Sequence, residues 1–144
     1  MQITHGQVSD LTRSRLNGTK ALADKKGIKY IEINCSNGVD NIIKDRHDRL
    51  LLLCCKTPDL LYIDADMILN SIPIFEKKDL PYFVQHASGM PDEMMIYVNG
   101  NVDFFKSIYI EKEQRKIQDV LWWFRKIIRT RQVNFIDKSL WCVL

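Results

Sequence analysis

The stretch Leu60-Leu61-Tyr62-Ile63-Asp64-Ala65-Asp66-Met67-Ile68-Leu69 decides how the rest of the chain is read. Its first four residues form a short, wholly apolar run of the kind found in strands buried on both faces of a parallel sheet. The run leads straight into two carboxylates. In an open α/β sheet ligands bind beyond the carboxyl ends of the strands, which places Asp64 and Asp66 over that crevice. One residue apart on an extended chain, both side chains point the same way and can reach one hard cation, or one can reach a cation and the other a sugar hydroxyl. Such a cation would neutralise a diphosphate leaving group. Acidic residues also end strands as turn formers or helix caps, and a bare D-x-D recurs by chance in many chains.

Towards the N-terminus, strand and helix patterns alternate, as in βαβ units with a mainly parallel sheet. Residues 1–4 read as a first strand ending at His5-Gly6, and Ser9 and Asp10 can cap a helix running to about Lys25, which Gly27 ends. Ile28, Tyr30, Ile31 and Ile33 make a second strand, closed by a turn at 34–38. A second helix over residues 39–56 places Ile42, Ile43, Leu50, Leu53 and Cys54 on one face, with a polar gap at Arg46 and His47. Thr57-Pro58-Asp59 breaks it before the decisive strand.

Towards the C-terminus, residues 82–85 and 94–98 read as strands with a loop containing His86 between them. Asn99-Gly100-Asn101 is a turn leading into Phe104 and Phe105. Ile117, Val120, Leu121, Phe124, Ile127 and Ile128 form a helical stripe that predicts one long helix over residues 112–130, with one of Trp122 and Trp123 in the core and the other on the surface. An extended tail follows, ending in Ser139-Leu140-Trp141.

The chain has 144 residues, 46% of them hydrophobic, enough for one domain with a proper core. The expected arrangement is a single unit, 1–144, with a nucleotide-binding half over 1–66 and an acceptor-side half over 67–144. The longest apolar run, Leu50 to Cys55, is far short of a membrane span, and the polar start shows no signal sequence, so a cytoplasmic setting is expected. Cys54 and Cys55 are adjacent while Cys35 and Cys142 stand apart, which gives neither a C-x-x-C pair nor a disulfide framework. Residues 104–144 carry nine basic and four acidic side chains, a local excess of +5 that suits an anionic partner or a solvated helix face. Without a reader motif around Arg125, Lys126, Arg129 and Arg131, nucleic acid is not the expected partner. Phosphate-loop, G-x-S-x-G, H-E-x-x-H and G-x-G-x-x-G motifs are all missing, and a haloacid-dehalogenase reading fails because Met67 and Ile68 follow the acidic pair, which comes after the third strand.

The string Tyr62-Ile63-Asp64-Ala65-Asp66-Met67-Ile68-Leu69 resembles the Y-L-D-A-D-x-x-L core of nucleotide-sugar glycosyltransferases of the GT-A fold, the group with capsular polysaccharide transferases, initiating mannosyltransferases and glycosylating toxins. The resemblance implies a small, Rossmann-like α/β domain flanked by helices and a metal-dependent glycosyltransferase in which Asp64 and Asp66 hold Mn²⁺ or Mg²⁺ on the diphosphate of a UDP- or GDP-sugar. It implies a donor pocket that takes in Thr4, His5, Gly6, Tyr62, Ile63 and Ala65. The S-D-x-x-R-like element of these families falls within Lys44-Asp45-Arg46-His47-Asp48-Arg49, where Asp45 and Arg49 are the favoured pair, although the spacing is four rather than three and leaves Arg46 and Asp48 open. A planar guanidinium there would pair with phosphate or sugar oxygens. The stretch after Tyr97 resembles the N-x-G-x-x-x-F segment near the acceptor, which puts Asn99 and Gly100 on the acceptor side; a simple hairpin turn explains the same residues. Lys138 and Trp141 resemble a tail that closes over the diphosphate. The acceptor, whether saccharide, lipid-linked or protein, is left open, as is the oligomeric state. The alternative is a non-catalytic nucleotide- or anion-binding module that uses the basic C-terminal helix as its partner surface.

Overall fold

Ser9 begins the first helix as its chemistry requires: its Oγ accepts a hydrogen bond from the Thr12 backbone N–H at 3.2 Å, replacing a partner that the first helical turn lacks. The structure, a computed structural model, describes residues 1–35, 42–73, 75, 80–85, 91–130, 133–136 and 142–143. Its elements run β1 (Gln2–His5), α1 (Asp10–Lys25), β2 (Glu32–Cys35), α2 (Ile42–Cys54), β3 (Leu61–Ile63), β4 (Ile68–Leu69), β5 (Tyr82–Gln85), β6 (Pro91–Tyr97), α3 (Val102–Gln114), α4 (Trp122–Thr130), β7 (Asn134–Ile136) and β8 (Cys142–Val143). Gly27, at φ +70°, closes α1 in the left-handed region open to glycine. The second strand begins later than the apolar pattern predicts, and Ile28 and Ile31 stay exposed.

β1 and β2 pair in parallel, with His5 opposite Cys35. The Met1 amine donates to Leu61 O at 2.7 Å and Ile63 N donates to Met1 O at 3.1 Å, which sets this pair alongside β3. Beyond β3 the order is β6, β5, β7. β6 is antiparallel to both β3 and β5, whereas β5 and β7 are parallel. The sheet is therefore mixed, not mainly parallel as expected. The cause is the connection: only residues 86–90 join β5 to β6, and a parallel return needs a dozen or more residues.

α2, α3 and α4 supply side chains to the main core, where Leu50, Cys54, Tyr62, Phe83, Phe105 and Trp123 are each 1% exposed or less. The predicted face of α2 is buried at Leu50 and Cys54, with Leu53 packed against the core, but not at its N-terminal end. Ile42 and Ile43 are exposed, while His47 is buried edge-on against Phe124, ring centroids 5.2 Å apart. Trp122 and Trp123 are both buried, with Arg115 of the preceding segment over the Trp122 ring at 5.9 Å.

The single helix predicted over 112–130 is two helices. Lys116 adopts φ +52° just after α3 ends, and Asp119 Oδ1 accepts from Leu121 N at 3.0 Å to begin α4. The Asn99-Gly100 turn, with φ of +54° and +79°, leads into α3 and does not form a hairpin. No helix among the described residues is long and apolar enough to cross a membrane.

Candidate active site

A cavity of about 290 Å³ opens where the carboxyl ends of β1 and β3 meet the start of α1. Thr4, His5, Arg46, Asp64, Ala65 and Asp66 line it, together with Ser9 and Thr12 of the first helical turn. The acidic pair does not continue as extended strand: Met67 N donates to Asp64 O at 3.2 Å, so the chain turns there and both acidic residues still border one space. Gln2 Nε2 donates to the same Asp64 carbonyl at 3.1 Å, and Arg15 Nη1 donates to Asp66 O at 3.1 Å, tying the turn to β1 and α1. Tyr62 is fully buried in the core, and its hydroxyl donates to Asp64 Oδ1 at 2.7 Å. Asp64 is half-buried and Asp66 exposed.

On the β1 side, Gly6 turns the chain at φ +62° and its N–H donates to Cys35 O at 3.0 Å. Asn34 Nδ2 holds the same corner with bonds to Thr4 Oγ1 at 2.8 Å and Gly6 O at 2.9 Å. His5 Nε2 lies 3.4 Å from Asp45 Oδ2. Arg49 Nε contacts both oxygens of that carboxylate at 3.2 and 3.1 Å and is itself exposed. Burial raises the Cys35 thiol above its ordinary range.

The structure thus brings Thr4, His5, Ala65, Asp64 and Asp66 together, with Gly6 shaping the corner. Of the five charged residues of α2, it is Arg46 that lines the cavity; Asp45 reaches it only through His5, and Arg49 only through Asp45. Asp48 faces α3 instead, accepting from Lys44 at 2.7 Å and from the buried Lys112 at 3.2 Å. Burial opposes its ionisation, but the two lysine contacts outweigh that and hold its carboxyl below the usual range. Tyr62 and Ile63 lie behind the cavity in the core and do not line it.

Asn99 and Gly100 are not brought to the cavity. Because β6 runs antiparallel to β3, its end meets the beginning of β3: Tyr97 pairs with Leu61, and Gly100 N donates to Pro58 O at 2.8 Å, at the sheet edge away from Asp64. Lys138, Trp141 and His86 lie outside the described residues. Ser9 and Thr12, which sequence reasoning did not place at the site, carry a signal only as the helix start; their place in the cavity wall with Asp64 comes from the packing of α1.

The chain resembles a solved structure, "crystal structure of a glycosyltransferase involved in the glycosylation of the major capsid of PBCV-1", at 11% identity and a TM-score of 0.63. The match covers 95% of this chain and 82% of that one. At this identity the shared property is the fold. No protein-family model matches the sequence, and no curated protein does. The architecture is therefore a glycosyltransferase-like α/β fold with a mixed sheet.

Proposed function

We propose that the protein is a glycosyltransferase that moves a sugar from a nucleotide-sugar donor, UDP- or GDP-linked, to a saccharide, lipid-linked or protein acceptor. The supporting observation is that Asp64 and Asp66 border one cavity with Thr4, His5 and Arg46 at the carboxyl edge of β1 and β3, in a fold shared with a known glycosyltransferase. Two carboxylates on one turn are a hard-oxygen donor pair, which fits Mg²⁺ or Mn²⁺ and leaves the remaining positions to diphosphate and water. When bound, that metal would offset charge on the departing diphosphate.

The chain's own residues do the rest. Tyr62 holds Asp64 in orientation from the core, and the bonds from Gln2 and Arg15 fix the turn on which both carboxylates sit. Arg46 offers a planar cation to phosphate oxygens inside the cavity. The rate advantage comes from holding donor and acceptor in reactive geometry and from stabilising the leaving group. The basic C-terminal region is a weaker basis for function: Arg115 and Lys126 both pair with Glu111, at 3.2 and 2.8 Å, and Arg125 pairs with Asp119.

The reading is tested by thermal-shift titration with UDP-, GDP- and CDP-sugars, with and without Mn²⁺. A ligand that binds only the folded state raises the melting temperature by mass action. A manganese-dependent rise with one donor, absent in Asp64→Ala/Asp66→Ala, is the expected result. A folded wild type that responds to none of the three would overturn it.

A further inference from the structure

The corner beside the donor cavity joins three chemically unlike side chains from three elements. His5 ends β1, Cys35 ends β2, and Asp45 lies in the first turn of α2. The imidazole, thiol and carboxylate each offer one ligand atom, and the three atoms lie within 4.8 Å of one another. His5 and Cys35 are direct partners in the parallel β1–β2 register, so their side chains leave the same face of the sheet. His5 Nε2 is buried and makes no hydrogen bond, although Asp45 Oδ2 is only 3.4 Å away. A buried ring nitrogen without a hydrogen-bond partner costs stability unless something else satisfies it.

A nucleophilic triad does not fit this arrangement. Cys35 is 2% exposed, so no substrate carbon can reach its sulfur. Mg²⁺ and Mn²⁺ do not fit either, because hard cations take oxygen ligands and avoid thiolates. Nitrogen, sulfur and oxygen donors together suit a borderline cation, which in four-coordinate form accepts all three and leaves one position open.

We propose that His5, Cys35 and Asp45 bind a divalent cation of the zinc class, at a site separate from the acidic pair Asp64 and Asp66. The ion ties the carboxyl ends of β1 and β2 to α2, with Arg49 on the Asp45 carboxylate as the outer partner that holds it in place. Since His5 also lines the donor cavity, an ion here fixes one of its walls. The site does not depend on the sugar-transfer reading, because none of its three ligands belongs to the acidic pair.

Cobalt(II) is the probe, added alone to the reduced full-length protein while absorbance is followed. The expected result is a thiolate-to-cobalt charge-transfer band with the visible bands of four-coordinate cobalt, saturating at one equivalent and displaced by Zn²⁺. Cys35→Ser should abolish the charge-transfer band, whereas Asp64→Ala/Asp66→Ala should keep it, which separates this site from the acidic pair. His5→Ala and Asp45→Asn should each weaken binding by at least the roughly tenfold loss seen when an outer-sphere partner is removed. Circular dichroism confirms that each variant is folded; if Cys35→Ser is not, the other two variants carry the test. No band in the wild type, a band that persists in folded Cys35→Ser, or unchanged affinity in both His5→Ala and Asp45→Asn would each overturn the proposal.

Discussion

Tyr62 acts on the candidate site from inside the core, where its ring is fully buried while its hydroxyl reaches Asp64 Oδ1 at 2.7 Å. Tyr62→Phe keeps the ring and removes only that bond. It should cost about 1 kcal/mol of stability and weaken manganese-dependent donor binding several-fold by letting the carboxylate reorient. Urea unfolding and a donor titration of the same variant check both parts, and an unchanged titration would show that Asp64 needs no such support. At this scale the sequence revealed the acidic pair and the His5-Gly6 corner. On α2 it favoured Asp45 and Arg49, whereas Arg46 lines the cavity; successive residues on a helix differ by about 100° in direction, and spacing alone did not say which of them faces the site. Ile42 and Ile43 suggested a buried face, yet both are exposed, and His47 occupies the core instead. Leu50 and Cys54 keep the helix on the predicted face, and Arg46, in the polar gap beside His47, lines the cavity while Arg49 does not.

Between elements, α2 and α3 are clamped by Asp48, which accepts from Lys44 on its own helix and from buried Lys112 on the other. The carboxyl is harder to protonate in the folded chain than in the unfolded one. Its contribution is therefore fully present above the ordinary aspartate value and is lost as pH falls through the lower folded one. Asp48→Asn should destabilise the protein by about 1 to 2 kcal/mol at neutral pH, a modest figure because the carboxylate is partly solvated. Urea unfolding at a series of pH values should show wild type and variant converging as acid removes the charge; a constant gap would mean the loss is steric. The break between α3 and α4 was hidden in the sequence for a related reason. Ile117, Val120 and Leu121 continue a helical spacing across it, and spacing alone does not reveal that Lys116 turns left-handed or that Asp119 caps a new helix.

Across the whole molecule, chain reversal decides what the N-terminal pattern could not. The βαβ half was readable because helix and strand periods alternate there. The antiparallel placement of β6 followed from the short β5–β6 connection, and it carries Asn99 and Gly100 to the edge opposite Asp64. The far end of the chain then returns to the site: β8 pairs with β4, with Ile68 opposite Val143 and Leu69 opposite Cys142, directly after the acidic turn. β4 is only two residues long, and Ile68 is 38% exposed, so the pairing is a substantial part of what holds it. Ending the chain after residue 141 removes β8. The expected cost is about 1 to 2 kcal/mol, or a melting temperature lower by roughly 3 to 8 °C. The larger effect should be local: the amides of Ile68 and Leu69 should exchange with solvent much faster, while those of Tyr62 and Ile63 change little. Donor affinity should fall with them, because the turn bearing Asp64 and Asp66 would then be held from its β3 side and by the Gln2 and Arg15 bonds alone. Unchanged exchange at Ile68 and Leu69 in the shortened chain would show that packing against α1, without β8, suffices to order the end of that turn.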